Sequence, residues 1–322
     1  MNTTAAKTKK IDLSNMSALL VLIVLCVLLS IAEPAFHSFA NFINILQQVT
    51  VYAVLAVGVN IVIFTGGIDI SVGSVVAFTG IVMGKIIVEA GLPSIVGIIA
   101  ALAIGLGCGL FNGIMISKFK LQPMIATLAM MSMARGAAYT IADGNTITGY
   151  SAGFRFIGSG TIPGTQIPVQ IIFMILLYIL FYYIMKYRRF GRYIYSIGGN
   201  EEATRLSGIN VTKYKTMAYG ISGLCAGIAS VILTAKLNSA QSTAGLDYEM
   251  DAIASCVIGG TSLLGGSGSV WGTFVGAIIM IVIRNGLNLL NVSSNLQKLV
   301  IGVVILIAVL ADAIRNGALK KS

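Results

Sequence analysis

Apolar residues along this chain gather in runs of about twenty, long enough at 1.5 Å of rise per residue to cross a hydrocarbon core of about 30 Å. Ten membrane segments are predicted from them, at 17–34, 49–65, 71–89, 93–116, 122–142, 167–186, 214–236, 250–264, 269–287 and 296–312. Stretches such as Ile171 to Ile184 and Leu299 to Leu310 do not alternate with period two, which argues against a membrane β-barrel. The predicted fold class is an all-α membrane protein of about ten transmembrane helices, some short or broken. Between the first two runs, His37 to Gln48 sets apolar residues at 39, 42, 43 and 46 among polar ones, as in a helix lying along the outer interface.

Two places interrupt simple crossings. Thr65-Gly66-Gly67-Ile68-Asp69-Ile70-Ser71-Val72-Gly73-Ser74 divides one pair of runs, and Gly259-Gly260-Thr261-Ser262-Leu263-Leu264-Gly265-Gly266-Ser267-Gly268 divides another. Both join glycine pairs to hydroxyls, and both precede an apolar helix, 75–89 and 270–287. The pattern is that of a diverged internal repeat with broken helices, which can mark a transport route; the same residues also make ordinary tight turns.

Composition strengthens the membrane reading, since only 10% of residues are charged and mean hydropathy is +0.92, against about 25% charged in soluble domains. Glycines spaced by four, Gly105/Gly109/Gly113 and Gly268/Gly272/Gly276, fit close helix packing. The net charge of +10 suits either nucleic acid or basic cytoplasmic loops, and its distribution decides. With both termini in the cytoplasm, Lys7, Lys9, Lys10, Lys118, Lys120, Lys186, Arg188, Arg189, Arg192, Arg205, Lys213, Lys215, Arg315, Lys320 and Lys321 lie inside, fifteen of the 21 basic residues. Nucleic acid is therefore not an expected partner; the lipid bilayer is. The expected layout is a cytoplasmic tail at 1–16, a permease domain at 17–312 with a cytoplasmic loop at 187–215, and a second cytoplasmic tail at 313–322. Ser17 to Ile31 runs into Glu33-Pro34 without a small-residue cleavage site and is read as a retained first span. Cys26, Cys108, Cys225 and Cys256 lack metal-site spacing and read as packing residues; no metal site is expected. The outer loop Asp143 to Pro168 could meet a partner or cap the bundle.

The inner loop carries a self-contained helix signal. Asn200 is a good N-cap, Glu201 and Glu202 favour the positive end of the helix dipole, and Gly208 suits a left-handed stop after Ala203, Thr204, Arg205, Leu206 and Ser207. So short a helix needs something to clamp it.

Here the chain resembles a known family, the permeases of ATP-binding-cassette sugar importers, and within it the ribose type. Gly191-Arg192-Tyr193-Ile194-Tyr195-Ser196-Ile197-Gly198-Gly199-Asn200, followed by the short helix and Ile209-Asn210-Val211, is similar to that family's coupling loop. Asn44 to Gln48, Thr65 to Ser74, Tyr248 to Ala254 and Asn285 to Leu290 are similar too, from about Asn41 to the C-terminus. The wider importer class carries Glu-Ala-Ala, three variable residues and Gly; Glu202-Ala203-Thr204 with Gly208 keeps the spacing but replaces the second Ala. The resemblance implies a cytoplasmic coupling helix at Asn200 to Gly208, a homodimer, a cytoplasmic ATPase subunit that binds ATP and Mg, and a periplasmic or extracellular sugar-binding protein. It implies a multi-pass protein of the bacterial inner membrane that is not itself an enzyme and holds no cofactor.

Several polar residues are candidates for the route or its supporting shell. Asp69 either accepts hydrogen bonds from the next helix's N-terminus, aided by Ser71, or touches sugar. Arg135, about 20 Å along its span, is read as facing the bundle interior or a wet cavity, with Asp251 as a possible ion-pair partner. Glu249 and Asp251 complement a helix dipole, with receptor docking as the other reading. Asn60, Thr65, Ser71, Ser74, Thr261 and Ser262, beside Gly66 and Gly67, offer the exchangeable hydrogen bonds a neutral sugar needs. The rival class is a stand-alone secondary transporter, which leaves an isolated coupling helix without a purpose. A catalytic reading fares worst, since His37, the only histidine, has no recognisable Ser or Cys partner.

The sequence has no G-x-x-x-x-G-K-[ST] loop, because Gly80 and Gly84 before Lys85 have only three residues between them. The purified chain is expected neither to bind nor to hydrolyse ATP, and micromolar nucleotide binding in equilibrium dialysis would contradict this.

Overall fold

The computed structural model describes residues 13–315; the tails with Lys7, Lys9, Lys10, Lys320 and Lys321 lie outside the described residues. The chain folds into α1 (Leu13–Ala32), a 3-10 turn (Pro34–His37), α2 (Phe39–Phe64), α3 (Val72–Gly84) with a π-helical extension (Lys85–Glu89), α4 (Ser94–Ser117) and α5 (Pro123–Ala142). There follow β1 (Ile147–Thr148), α6 (Ala152–Ser159), α7 (Val169–Tyr187), α8 (Arg189–Gly199), α9 (Glu201–Leu206), α10 (Val211–Leu237) and β2 (Ser239–Ala240). The last elements are α11 (Tyr248–Ile258), α12 (Val270–Leu289) and α13 (Ser294–Arg315).

Among the described residues seven helices are long and apolar enough to span a membrane: α2, α3 with its extension, α4, α7, α10, α12 and α13. Helices α1 and α5, each of 20 residues, reach about 30 Å as well. The eighth predicted segment, 250–264, is corrected: α11 has 11 residues, about 16 Å, and the chain then leaves helical geometry at Gly259. The helix read at 37–48 is continuous with the second span, Phe39 to Gln48 forming the opening turns of α2. A Ser38 cap, whose hydroxyl accepts from the Asn41 amide at 3.2 Å, starts α2 there. Its polar residues stay inside the helix because they find partners: Asn41 and Asn285 exchange two side-chain hydrogen bonds, at 3.0 and 2.8 Å.

Helix α2 is the axis of the bundle. Every residue from Val49 to Phe64 is buried, as its all-round apolar sequence requires. Outer helices show the reverse: α13 turns Leu299, Val303, Leu306 and Ile307 outward, a surface suited to hydrocarbon or to another apolar helix. The loop at 143–168 caps the bundle, with Ile147 opposite Ala240 in an antiparallel pair and Phe154 of α6 buried.

Helices α4 and α10 run antiparallel at backbone contact. Gly105 faces Gly223 and Gly227, Gly109 faces Tyr219 and Gly220, and Gly113 faces Thr216, so a methyl group on any of these three would strike main-chain atoms. Gly107 of the same helix has open space beside it. Gly223→Leu should therefore cost about 1–3 kcal/mol through overpacking, seen as a lower melting temperature in detergent, whereas Gly107→Leu should leave it unchanged.

Candidate translocation and coupling sites

The first break begins where α2 ends. Gly66 takes a left-handed conformation, φ 74°, and the chain turns back into the bundle to start α3. Asp69, 1% exposed, organises the return. Its Oδ1 accepts the Ser71 amide at 3.0 Å and the Ser71 hydroxyl at 2.6 Å, and its Oδ2 accepts the Ser222 hydroxyl of α10 at 2.8 Å. Asn112 of α4 donates to the Ser71 hydroxyl at 3.1 Å. One carboxylate thus fastens the start of α3 to α10 and, through Ser71, to α4. Ser222 and Asn112 were missed as partners because each stands alone in an apolar run, with only its polarity to signal it.

The second break is fastened to α2. Thr261 donates its hydroxyl to Asn60 Oδ1 at 2.9 Å, and the Asn60 amide reaches the Ser269 carbonyl at 3.5 Å. The Gly266 amide donates to the Phe64 carbonyl, the last of α2, at 3.0 Å, and the Leu263 amide donates to Asp312 of α13 at 3.2 Å. Left-handed or related backbone at Gly260, Gly265, Gly266 and Gly268 makes this path possible.

Both breaks meet α8. Gly198 lies against the Phe64 carbonyl and Gly266, Gly199 against Gly266, and Gly265 against Gly66, with no room for a side chain at Gly198, Gly265 or Gly266. Tyr195 adds a hydrogen bond to the Gly268 carbonyl at 3.2 Å, and its ring packs on Phe64 at 4.6 Å. The glycine pair at 198–199 is visible in the sequence, but its contact with residues 66 and 266 is a product of folding.

Helix α9 projects from this junction. The Asn200 side chain accepts the Ala203 amide at 2.9 Å, and Gly208 ends the unit at φ 81°. Part of the clamp that so short a helix needs comes from the chain itself. Thr204 is buried and donates to the Asn200 carbonyl at 2.8 Å, while Glu201 pairs with Lys215 of α10 at 2.7 Å and with Lys120 of the α4–α5 turn at 3.5 Å. Burial works to raise the Glu201 pKa, but the two ammonium groups outweigh it and hold the carboxyl below its ordinary range. The contribution is present at neutral pH and lost as acid titrates the carboxylate; with 40% of the side chain exposed it is worth less than about 1 kcal/mol. Glu202 pairs with Arg205 at 2.6 Å. Glu202, Ala203, Arg205, Leu206 and Ser207 face outward.

At the far end of the bundle the suggested Arg135–Asp251 pair is corrected. Arg135 donates to the Ser242 and Ala244 carbonyls at 2.7 Å each, and Asp251 pairs with Arg284 of α12 at 2.7 Å. Each charge takes the partner its own packing brings near: α12 lies against α11, and the irregular segment before α11 lies over α5. Glu249 and Asp251 occupy the first turn of α11, and the Glu249 carboxylate also lies against Gly73 in the first turn of α3. Acids thus stand where two helix N-termini converge.

Asn60, Thr65, Asp69, Ser71, Ser74, Thr261 and Ser262 are all buried, and of these Asn60, Asp69, Ser71 and Thr261 bond between elements. Thr65 donates back to the Val62 carbonyl at 2.7 Å, the Ser262 hydroxyl accepts the Leu264 amide at 3.3 Å, and the Ser74 hydroxyl is buried without a hydrogen-bond partner. Asp251 borders a cavity. Among the described residues no cluster of His, Cys, Asp or Glu could hold a metal ion.

A helical bundle interrupted by two helix breaks, both packed against α8, which leads into a capped helix at one end, defines a multi-pass permease subunit. Over residues 41–309 the chain matches the family described as branched-chain amino acid transport system / permease component, and it belongs to that family. It is 47% identical to the ribose import permease protein RbsC of Escherichia coli (strain K12), over 83% of this chain and 84% of the relative. The ribose import permease protein RbsC of Bacillus subtilis (strain 168) is 45% identical, over 83% of each chain. The D-allose transport system permease protein AlsC of E. coli (strain K12) is 36% identical, over 82% of this chain and 81% of the relative. No solved structure matches.

Asp69→Asn keeps the shape and part of the acceptor capacity, whereas Asp69→Leu strands the Ser71 and Ser222 donors at a cost of about 1–3 kcal/mol. Leu should lower folded yield and transport more than Asn does; equal full activity for the two variants would remove Asp69 from this role.

Proposed function

We propose that this chain is the sugar-conducting permease of an ATP-driven importer, with ribose as its substrate. It works as a homodimer in the bacterial inner membrane, with both termini in the cytoplasm. A separate cytoplasmic ATPase subunit binds ATP and Mg, and a periplasmic or extracellular sugar-binding protein delivers the sugar. The observation that carries the reading is the packing of α8, which leads directly into α9, against both helix breaks at Gly66, Gly198, Gly265 and Gly266. Nucleotide-driven movement of the ATPase would displace α9, and the tight junction would pass that displacement to the ends of α2 and of the second break. The ribose assignment rests on the likeness to the two ribose import permeases, which exceeds the likeness to the allose permease reported with them. The orientation rests on the basic residues that gather around α8, α9 and the neighbouring turns.

Leu206 is 78% exposed at the tip of α9, an apolar side chain that a partner's groove would cover. In proteoliposomes with the partner subunits, Leu206→Asp and Glu202→Arg should each leave insertion and dimer formation intact. Each should weaken ATPase docking about tenfold or more, about 1.4 kcal/mol, with a matching fall in uptake and in receptor-stimulated ATP hydrolysis. Wild-type uptake by both variants would refute α9 as the coupling element.

A further inference from the structure

At the end of the bundle away from α9, a cavity of about 410 Å³ opens between the start of α11, the later turns of α12 and the early turns of α13. That volume lies within the range of small-molecule pockets. Its polar lining is two acids and two bases, arranged in two layers. Deep in it, Arg284 Nη2 donates to Asp251 Oδ2 at 2.7 Å, and the aspartate side chain is only 3% exposed. At the rim, Lys298 Nζ donates to Asp247 Oδ2 at 2.8 Å, with both side chains largely exposed. The charges balance, so the cavity has no net field to hold a simple anion or cation.

Gly302 of α13 also borders this cavity. Glycine within a helix weakens it relative to alanine, and at Gly105, Gly109 and Gly113 that weakness is offset by backbone contact. At Gly302 no atom lies near enough to demand it: a side chain would project into open space. Within this chain, the consequence of glycine at 302 is room in the cavity.

A hydroxyl group donates and accepts at once, so adjacent hydroxyls on one small molecule can donate to a carboxylate while accepting from a guanidinium or ammonium. Neutral polyols match a lining in which such groups alternate, and the Met250, Ile301 and Ile305 side chains offer an apolar wall to a C–H face. We propose that this cavity is an acceptor site for a neutral polyhydroxylated molecule of monosaccharide size, occupied before the helix breaks part. The inference rests on the sugar-permease reading and adds to it a place and four recognising side chains, Asp247, Asp251, Arg284 and Lys298.

The test uses the chain in lipid nanodiscs, with Gly302→Cys in a Cys26→Ala, Cys108→Ala background, labelled by a small thiosulfonate. Millimolar D-ribose should slow labelling at least threefold, while ribose 5-phosphate and inorganic phosphate should not. Lys298→Gln and Asp247→Asn should each raise the half-protecting ribose concentration about tenfold. Absence of ribose protection overturns the site, and so does protection by the phosphate compounds instead, which would mark an anionic-headgroup site. Labelling that is fast in monomers but blocked in dimers without sugar also overturns it, by showing that a second copy fills the cavity. Gly302→Leu in the complete transporter separates the two claims. Lost ribose uptake with normal assembly supports the acceptor site, and undiminished uptake overturns it while leaving the permease reading in place. If the unmodified complete transporter takes up no sugar, the permease reading itself fails.

Discussion

A peptide group inside hydrocarbon has no water to bond with, so any stretch of non-helical chain at membrane depth must bring its partners with it. This constraint governs the rest of the structure. Both breaks are short, the polar residues of both that bond to other helices are buried, and each break is held by a small set of side chains. Asp69 serves the first with three accepted bonds, and the Asn60–Thr261 pair with the Gly266–Phe64 bond serves the second. The central placement of α2 follows from this, since both breaks use it: one as its continuation, the other as its anchor.

Enclosure has a mechanical consequence. A segment held by many weak bonds to flexible side chains would absorb a push from outside, whereas backbone packed on backbone cannot give way without moving its neighbour. At the meeting of Gly66, Gly198 and Gly266 no side chains intervene. Displacement of α8 therefore reaches the end of α2 and the second break together. Tyr195, bonded to the Gly268 carbonyl and packed on Phe64, ties the same three parts with a rigid ring.

The sequence displays what is periodic or locally capped and hides what is paired at long range. The runs over α4, α7, α12 and α13 are legible because hydrocarbon demands length and apolarity, and the ends of α9 because Asn200 and Gly208 act within a few residues of themselves. The shortness of α11 is legible only in part: Gly259-Gly260 and Thr261-Ser262 mark the break, but Leu263-Leu264 carry the apolar run past it. Phe39 to Gln48 reads as amphipathic, yet Asn41 bonds across to α12, and only the fold supplies Asn285. Arg135 and Asp251 are correctly singled out as unusual, but sequence separation says nothing of which charge meets which. Of the polar residues singled out, Asn60, Thr65, Asp69, Ser71, Thr261 and Ser262 lie at or beside the two breaks, whereas Arg135 and Asp251 bond elsewhere.

The burial of the polar residues at the breaks bears on the chemistry that a sugar would meet there. A neutral sugar gains little from any single hydroxyl contact, so a route for it needs polar groups that exchange partners at low cost. Asn60 with Thr261, and Ser71 with Asn112, are neutral groups of that kind, each already bonded to the other. These bonds hold the breaks because their members satisfy one another. An apolar seam would close as tightly but would give a passing sugar nothing in return for its lost water. Buried, mutually bonded hydroxyls and amides at the breaks therefore carry chemistry that a polyol shares, and the glycine junction packs both breaks against α8.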